Sequence, residues 1–195
     1  MKVLDIFCGT KSIKAECDKR HWEYESLDIE QKFHPTYCVD FLTWDYKSLN
    51  YTPDLIWFSP DCSVYSMASG YTHWHADHQT RTDKARLSLK LLQRVKDMIA
   101  YFDTKFIIEN PRARMRWFIT EYPRHTVSYC RYGFDRMKPT DIWTNLTGFT
   151  PQMCNYGNPD HIAAPRGSLT GTQGIPRSER YKVPPDLIKA LFDCL

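Results

Sequence analysis

Val3-Leu4-Asp5-Ile6-Phe7-Cys8-Gly9-Thr10 is the stretch on which the fold class turns. A short apolar run ends in a glycine-containing turn, which reads as a buried strand entering a loop. Residues 12–20 follow as a helix. Working outward, further strands are expected over 23–28, 37–39, 54–58, 106–108 and 126–129. A helix is expected over 83–102, where Leu87, Leu91, Leu92, Val95, Met98 and Ile99 recur at helical spacing. Pro184-Pro185 opens a last helix over 186–194. Strands alternating with helices imply an α/β fold, a mostly parallel sheet covered by helices on both faces. Ligands of such folds sit at the carboxyl ends of the strands, and the chemically interesting residues of this chain each follow a strand.

Bulk properties agree with one globular unit. The chain has 195 residues, 42% of them hydrophobic and 14% aromatic, enough for one sizeable core and too few for two ordinary domains. Its seven cysteines are odd in number and widely spaced, with no CxxC, so no disulfide framework is expected. The start MKVLDIFCG lacks a signal peptide's apolar run, and no stretch has the length of a membrane span. A reducing cytoplasm, free thiols and a monomer are the corresponding expectations. The net charge is only +3. Even so, Arg112, Arg114, Arg116, Arg124, Arg131, Arg136 and Lys138 cluster in one stretch, which reads as a phosphate-binding face or as an ordinary solvated one.

Three patterns carry chemistry. The turn Phe7-Cys8-Gly9-Thr10-Lys11-Ser12 between a strand and a helix lets the backbone approach an adenosine-type cofactor. Asp28, ending the next strand, is placed for ribose hydroxyls. Ser59-Pro60-Asp61-Cys62-Ser63-Val64-Tyr65-Ser66 puts a thiol on the loop after one strand, and Ile108-Glu109-Asn110-Pro111 puts an acid at the end of the next. Cytosine is electron-poor at C6 but unreactive without help. A thiolate adds there if an acid protonates N3, and C5 then becomes nucleophilic toward an electrophilic methyl group. Cys62 alone reads equally as a small buried hydrophobe.

The combination resembles the cytosine-C5 DNA methyltransferase family, most closely its short, phage-encoded members. Asp5-Ile6-Phe7-Cys8-Gly9-Thr10 is similar to the first cofactor motif, Leu27-Asp28-Ile29-Glu30 to the ribose- and adenine-contacting motif, and Asp40-Phe41 to the motif that reads the adenine amino group. Pro60-Asp61-Cys62 with Tyr65-Ser66 resembles the catalytic Pro-Cys loop, and Glu109-Asn110 the Glu-Asn motif. Residues 132–140 lie where the family has Gln-x-Arg-x-Arg. The resemblance implies a Rossmann-like class I fold, S-adenosyl-L-methionine as cofactor, and DNA as partner, either a duplex with the base flipped out or a single strand.

It further implies Cys62 as nucleophile and Glu109 as proton donor. Asp5, Phe7, Cys8, Gly9, Thr10, Lys11, Ser12, Asp28, Ile29, Asp40, Phe41 and Pro60 would lie around the cofactor. Ser59, Ser66, Asn110, Arg136, Lys138 and Thr140 would lie around the substrate, and the loop 67–82 would close over the base. Residues 1–145 correspond to the catalytic domain. Residues 146–195, irregular and rich in glycine and proline before the last helix, would contact substrate as part of the same domain, with 164–168 and 171–174 similar to the tail of the short members.

Four departures stand out. Lys11 replaces a second glycine, and either pairs with a carboxylate or points to solvent. Asp61 replaces a second proline and would raise the neighbouring thiol's pKa unless cations offset it. Thr140 replaces the second arginine. No large target-recognition domain follows Asn145, so specificity is expected to be short or relaxed and read through phosphates. Two readings remain beside DNA methylation: methylation of a free cytosine nucleotide or of RNA, and a catalytically silent binder of nucleic acid or cofactor. His73, His75 and His78, and separately Cys130, Cys154 and His161, are residue types that bind metals, though no metal is expected.

Overall fold

β1 (Lys2–Ile6) is buried on both faces, which is why its sequence is nearly continuous in apolar residues. A computed structural model describes residues 1–67, 70–155, 157–158, 161 and 176–195. Residues 164–168 and 171–174, likened above to a family tail, lie outside the described residues. Among the described residues β1 lies in the interior of a seven-stranded sheet ordered β3-β2-β1-β4-β5-β7-β6. β2 (Glu23–Asp28), β3 (Tyr37–Cys38), β4 (Leu55–Phe58) and β5 (Lys105–Pro111) continue its parallel direction. β6 (Arg124–Ser128) and β7 (Pro139–Thr144) close one side, β7 running antiparallel to both β5 and β6.

Side chains alternate between two cores, as the strand period requires. Leu4, Ile6, Ile56, Phe58, Phe106 and Ile108 pack with Leu92, Val95, Met98 and Ile99 of the long helix Asp83–Phe102. Val3, Leu55, Trp57, Ile107 and Ile142 face the other way, toward Cys17 of α1 (Lys14–Lys19) and toward Leu187, Ile188 and Leu191 of the C-terminal helix, Pro185–Phe192. The long helix matches the expected 83–102, capped by Thr82, whose hydroxyl accepts from the Ala85 amide at 3.3 Å.

β7 was not expected. It opens on a proline and carries Asp141 at its middle, neither of which reads as a strand in the sheet interior. The fold accommodates the buried Asp141 because the Arg116 guanidinium donates to both of its oxygens at 2.8–3.1 Å and the Thr126 hydroxyl adds a third donor at 2.7 Å. This strand has a consequence for the site. Pairing of Pro111 with Thr140 and of Ser128 with Pro139 brings the end of β6 and the start of β7 to the edge where β5 ends. Tyr129 and Lys138 therefore arrive beside the strand ends that carry Cys62 and Glu109.

Candidate active site

The turn after β1 is tight. Phe7, Gly9 and Lys11 all take left-handed backbone, with φ of 63°, 46° and 56°, a conformation that favours glycine. A Cβ built on Gly9 would meet no protein atom within 4 Å, so open space lies against its backbone. Asp28 fastens the turn: its two oxygens accept from the Gly9 and Glu30 amides, each at 2.9 Å. Phe7 meets Phe41 edge-on with ring centroids 5.0 Å apart. Ile29 is 66% exposed, and Asp40 is exposed with one oxygen accepting from the Leu42 amide at 2.9 Å. An open backbone cradle, an exposed apolar side chain and an available carboxylate at successive strand ends suit an adenosine-type cofactor.

Other residues expected here have different positions. Asp5 and Cys8 are buried beneath the turn. Ser12 accepts from the Val183 amide at 3.2 Å, tying the turn to the chain just before the C-terminal helix. Lys11 does neither of the things expected of it, since its ammonium donates to the His34 carbonyl. Thr10 is exposed, and Phe41 and Pro60 are buried.

Burial pushes the Asp5 carboxyl up to about 7, while the Tyr24 hydroxyl, donating to it at 2.7 Å, partly opposes the rise. The unfolded carboxyl titrates near 4. Between these values the unfolded chain has released a proton that the folded one keeps, so stability falls as pH rises from about 4 to about 7 and is level above. Asp5→Asn removes this loss. Its urea midpoint is expected to vary little between pH 5 and 8 while the wild-type midpoint declines, a difference on the order of 1.4 kcal/mol per pH unit at most. Parallel midpoint profiles would refute the assignment.

The second cluster is built around the Cys62 loop. The Cys62 carbonyl accepts from the Tyr65 and Ser66 amides at 3.1 and 3.0 Å, so the thiol sits at the head of a turn. The Asn110 side chain donates to the Pro60 carbonyl at 2.8 Å, clamping that loop to β5. Asn110 is buried, and its Oδ1 has no hydrogen-bond partner. Ser59 lies behind the loop, accepting from the Trp57 indole at 2.8 Å. Burial pushes the Cys62 thiol up to about 11. Glu109 and Asp61 add to the rise and Lys138 opposes it.

Asp61 does have a compensating cation. Its carboxylate accepts from the Ser63 amide and hydroxyl at 2.9 and 2.6 Å, and Lys84 lies 3.5 Å away. Burial alone would raise its pKa, but these partners hold it below the usual value.

Glu109 is buried, and its Oε1 accepts from the Tyr129 hydroxyl at 2.6 Å. Burial and the neighbouring Glu109 push the Tyr129 phenol well above its ordinary pKa, so Tyr129 is a donor at all physiological pH values. The Lys138 ammonium lies 4.4 Å from the centre of the Tyr129 ring and donates to the Arg180 carbonyl at 2.7 Å. Burial lowers the Lys138 pKa against the pull of Glu109 and Cys62. Sequence reasoning missed Tyr129. A buried tyrosine after a strand carries no motif, and its role follows only from the pairing of β6 with β7.

Three expectations for the substrate residues are corrected. Thr140 is fully buried, and its hydroxyl donates to the Lys138 carbonyl at 3.1 Å, so it supports the site from behind. Asn110 likewise holds the loop. The basic stretch is no single face: Arg116 is neutralised by Asp141, Arg112 and Arg124 are exposed, and Arg114 is buried. Arg136 donates to the carbonyl of its neighbour Asp135 at 2.7 Å. Among the described residues no three His, Cys, Asp or Glu side chains converge as metal ligands. The His73 ring meets the Thr82 hydroxyl, His78 lies against Trp117, and Cys154 meets His161 at 3.0 Å.

A parallel sheet with one antiparallel strand inserted beside β5, an open glycine turn after β1, a thiol on the loop after β4 and a carboxyl near the end of β5 defines a Rossmann-like methyltransferase of the S-adenosylmethionine-dependent class. Two solved structures share this fold. They are Entamoeba histolytica methyltransferase EhMeth, with TM-score 0.56, 14% identity and 80% of this chain covered, and a Spodoptera frugiperda DNMT2 mutant, with TM-score 0.51, 14% identity and 83% covered. This chain spans only 57% and 56% of their lengths. A probable DNA (cytosine-5)-methyltransferase of frog virus 3 is 34% identical, and the match covers 99% of both chains. The chain therefore belongs to the cytosine-C5 DNA methyltransferase family, whose methyl donor is S-adenosylmethionine. No protein-family model matches it.

Proposed function

We propose that the protein methylates C5 of cytosine in DNA through a covalent bond between Cys62 Sγ and C6. The observation that carries this reading is the convergence, at the carboxyl ends of the neighbouring strands β1, β4 and β5, of the open turn at Gly9, the Cys62 loop clamped by Asn110, and Glu109 held by Tyr129. S-adenosylmethionine, when bound, supplies the electrophilic methyl group that C5 takes. Gly9, Asp28, Ile29 and Asp40 would hold it.

The remaining chemistry belongs to the chain. The Cys62 thiolate adds to C6 as Glu109 delivers a proton to N3; once C5 carries the methyl group, N3 returns that proton to Glu109, a water molecule takes the C5 proton, and the C6–S bond breaks to release the thiolate and restore the aromatic ring. With Tyr129 donating to Oε1, the other carboxyl oxygen of Glu109 is the one left to carry the proton. Lys138 adds positive charge near the developing thiolate.

The target base must leave the stack or be presented in a single strand. Residues 146–195 would contact the strand within the same domain. Short or relaxed specificity belongs to the same reading, because contacts to backbone phosphates carry no sequence information. We place its action in the cytoplasm of a host cell, as a monomer. No helix among the described residues is long and apolar enough to cross a membrane.

A methyl-transfer assay over duplex DNA, single-stranded DNA, RNA and dCMP tests the substrate. Transfer to DNA, with base-resolution mapping to C5 of cytosine in short or degenerate contexts, is the expected result. Preference for dCMP or RNA would overturn the DNA reading, and cofactor binding without transfer to any of the four would indicate a silent binder.

A further inference from the structure

Arg114 begins the 3-10 turn Arg114–Trp117 that follows β5. Its amide donates to the Tyr65 carbonyl at 3.1 Å, and the Tyr65 amide donates to the Cys62 carbonyl at 3.1 Å. Two hydrogen bonds thus tie its backbone to the nucleophile's loop. Its side chain is only 6% exposed, yet its Nε is buried without a hydrogen-bond partner. The guanidinium carbon lies 5.0 Å from the Trp117 ring centre and 5.7 Å from that of Tyr71. The contrast with Arg116, two residues on, is sharp. Arg116 has a buried carboxylate, while Arg114 has aromatic rings and, among the described residues, no ion pair.

A buried charge without a counter-ion is costly. Cation–π contacts offset part of that cost and suit guanidinium, which is weakly hydrated and stacks on rings. They leave the buried Nε–H without a partner, and the guanidinium edge that carries it matches a tetrahedral oxyanion through two parallel hydrogen bonds. The surroundings are open to a large partner, since Met67, Tyr71 and Trp117 are 64%, 78% and 43% exposed.

We propose that Arg114 receives a backbone phosphate of the nucleic-acid strand that presents the cytosine. The inference rests on the DNA-methylation reading and extends it by assigning one contact that positions the strand. Tyr71 and Trp117 hold the guanidinium ready, so the phosphate docks beside the Cys62 loop and sets the register of the base that enters.

The test uses the full chain with Arg114→Gln, Arg114→Lys and Tyr71→Ala. Calorimetric S-adenosylmethionine binding reports folding, and affinity for a cytosine-containing duplex is measured from 50 to 200 mM salt. Arg114→Gln is expected to bind DNA about tenfold or more weakly, with a log affinity–log salt slope shallower by about 0.9, one phosphate's worth. Arg114→Lys keeps the slope but loses part of the affinity, because a point charge lacks the planar fork. Tyr71→Ala weakens binding severalfold.

Unchanged affinity and slope in a folded Arg114→Gln protein would overturn the proposal. So would weakened dCMP binding with DNA binding intact, which would assign the phosphate to a free nucleotide. If Arg114→Gln does not fold, the outcome rests on the other two variants, and wild-type affinity in both overturns it. A wild-type protein that neither binds nor methylates DNA would instead defeat the functional reading on which the proposal rests.

Discussion

Cys62→Ser is expected to abolish covalent capture of DNA carrying 5-fluorocytosine and to lower methyl transfer by roughly 10⁴-fold or more, the scale for removal of an essential nucleophile. The wild-type protein is expected to form the adduct, because fluorine at C5 cannot leave as a proton would and the ring remains bonded to sulfur. A hydroxyl is a far weaker nucleophile than a thiol. Binding of DNA and cofactor should survive, since the loop is held by the Cys62 carbonyl and by Asn110 on Pro60, none of which the substitution removes. A Cys62→Ser protein that still formed the adduct would eliminate Cys62 as nucleophile.

The same thiol has a pH signature. Burial holds it up at about 11, so its alkylation by a small electrophile in the free protein should accelerate about tenfold per pH unit between pH 7 and 10. A rate that levels off below pH 8 would contradict this environment.

Glu109→Gln is the second large effect expected. An amide cannot deliver a proton to N3, and a positioned acid contributes roughly 10² to 10⁴-fold. The loss should fall on kcat, with DNA affinity little changed. Tyr129→Phe provides the comparison. It removes the donor to Oε1 but leaves the acid in place, so it should cost less than Glu109→Gln. If Glu109→Gln retained wild-type turnover on DNA, the acid would have to be sought elsewhere.

The cofactor half of the site was the more legible in sequence. β1, its turn and Asp28 are contiguous or nearly so, and the geometry of a strand–turn–helix unit is dictated by local backbone preferences. Gly9 reads as a residue that lets the backbone come close to a cofactor, and a Cβ built on it would meet no protein atom within 4 Å. The catalytic half depends on pairs distant in the chain. Cys62 and Glu109 were recognisable as residue types at strand ends, but the loop's attachment through Asn110 and the position of Lys138 over Tyr129 come from strand pairing. Arg112, Arg114 and Arg116 look alike in sequence, yet one is exposed, one is buried among aromatic rings and one is matched to Asp141.

From residue order alone came the α/β class, the parallel run of strands, the helix over 83–102 and the placing of a thiol and a carboxyl at neighbouring strand ends, because each follows from periodicity, turn chemistry or residue type within a short span. Tertiary structure alone decided that β7 exists, that Thr140 lies behind the site, that Tyr129 grips Glu109 and that Arg114 is buried against aromatic rings. Those facts arise where an antiparallel strand returns to the parallel sheet's edge. Packing there sets which polar groups meet, and no local propensity encodes which ones.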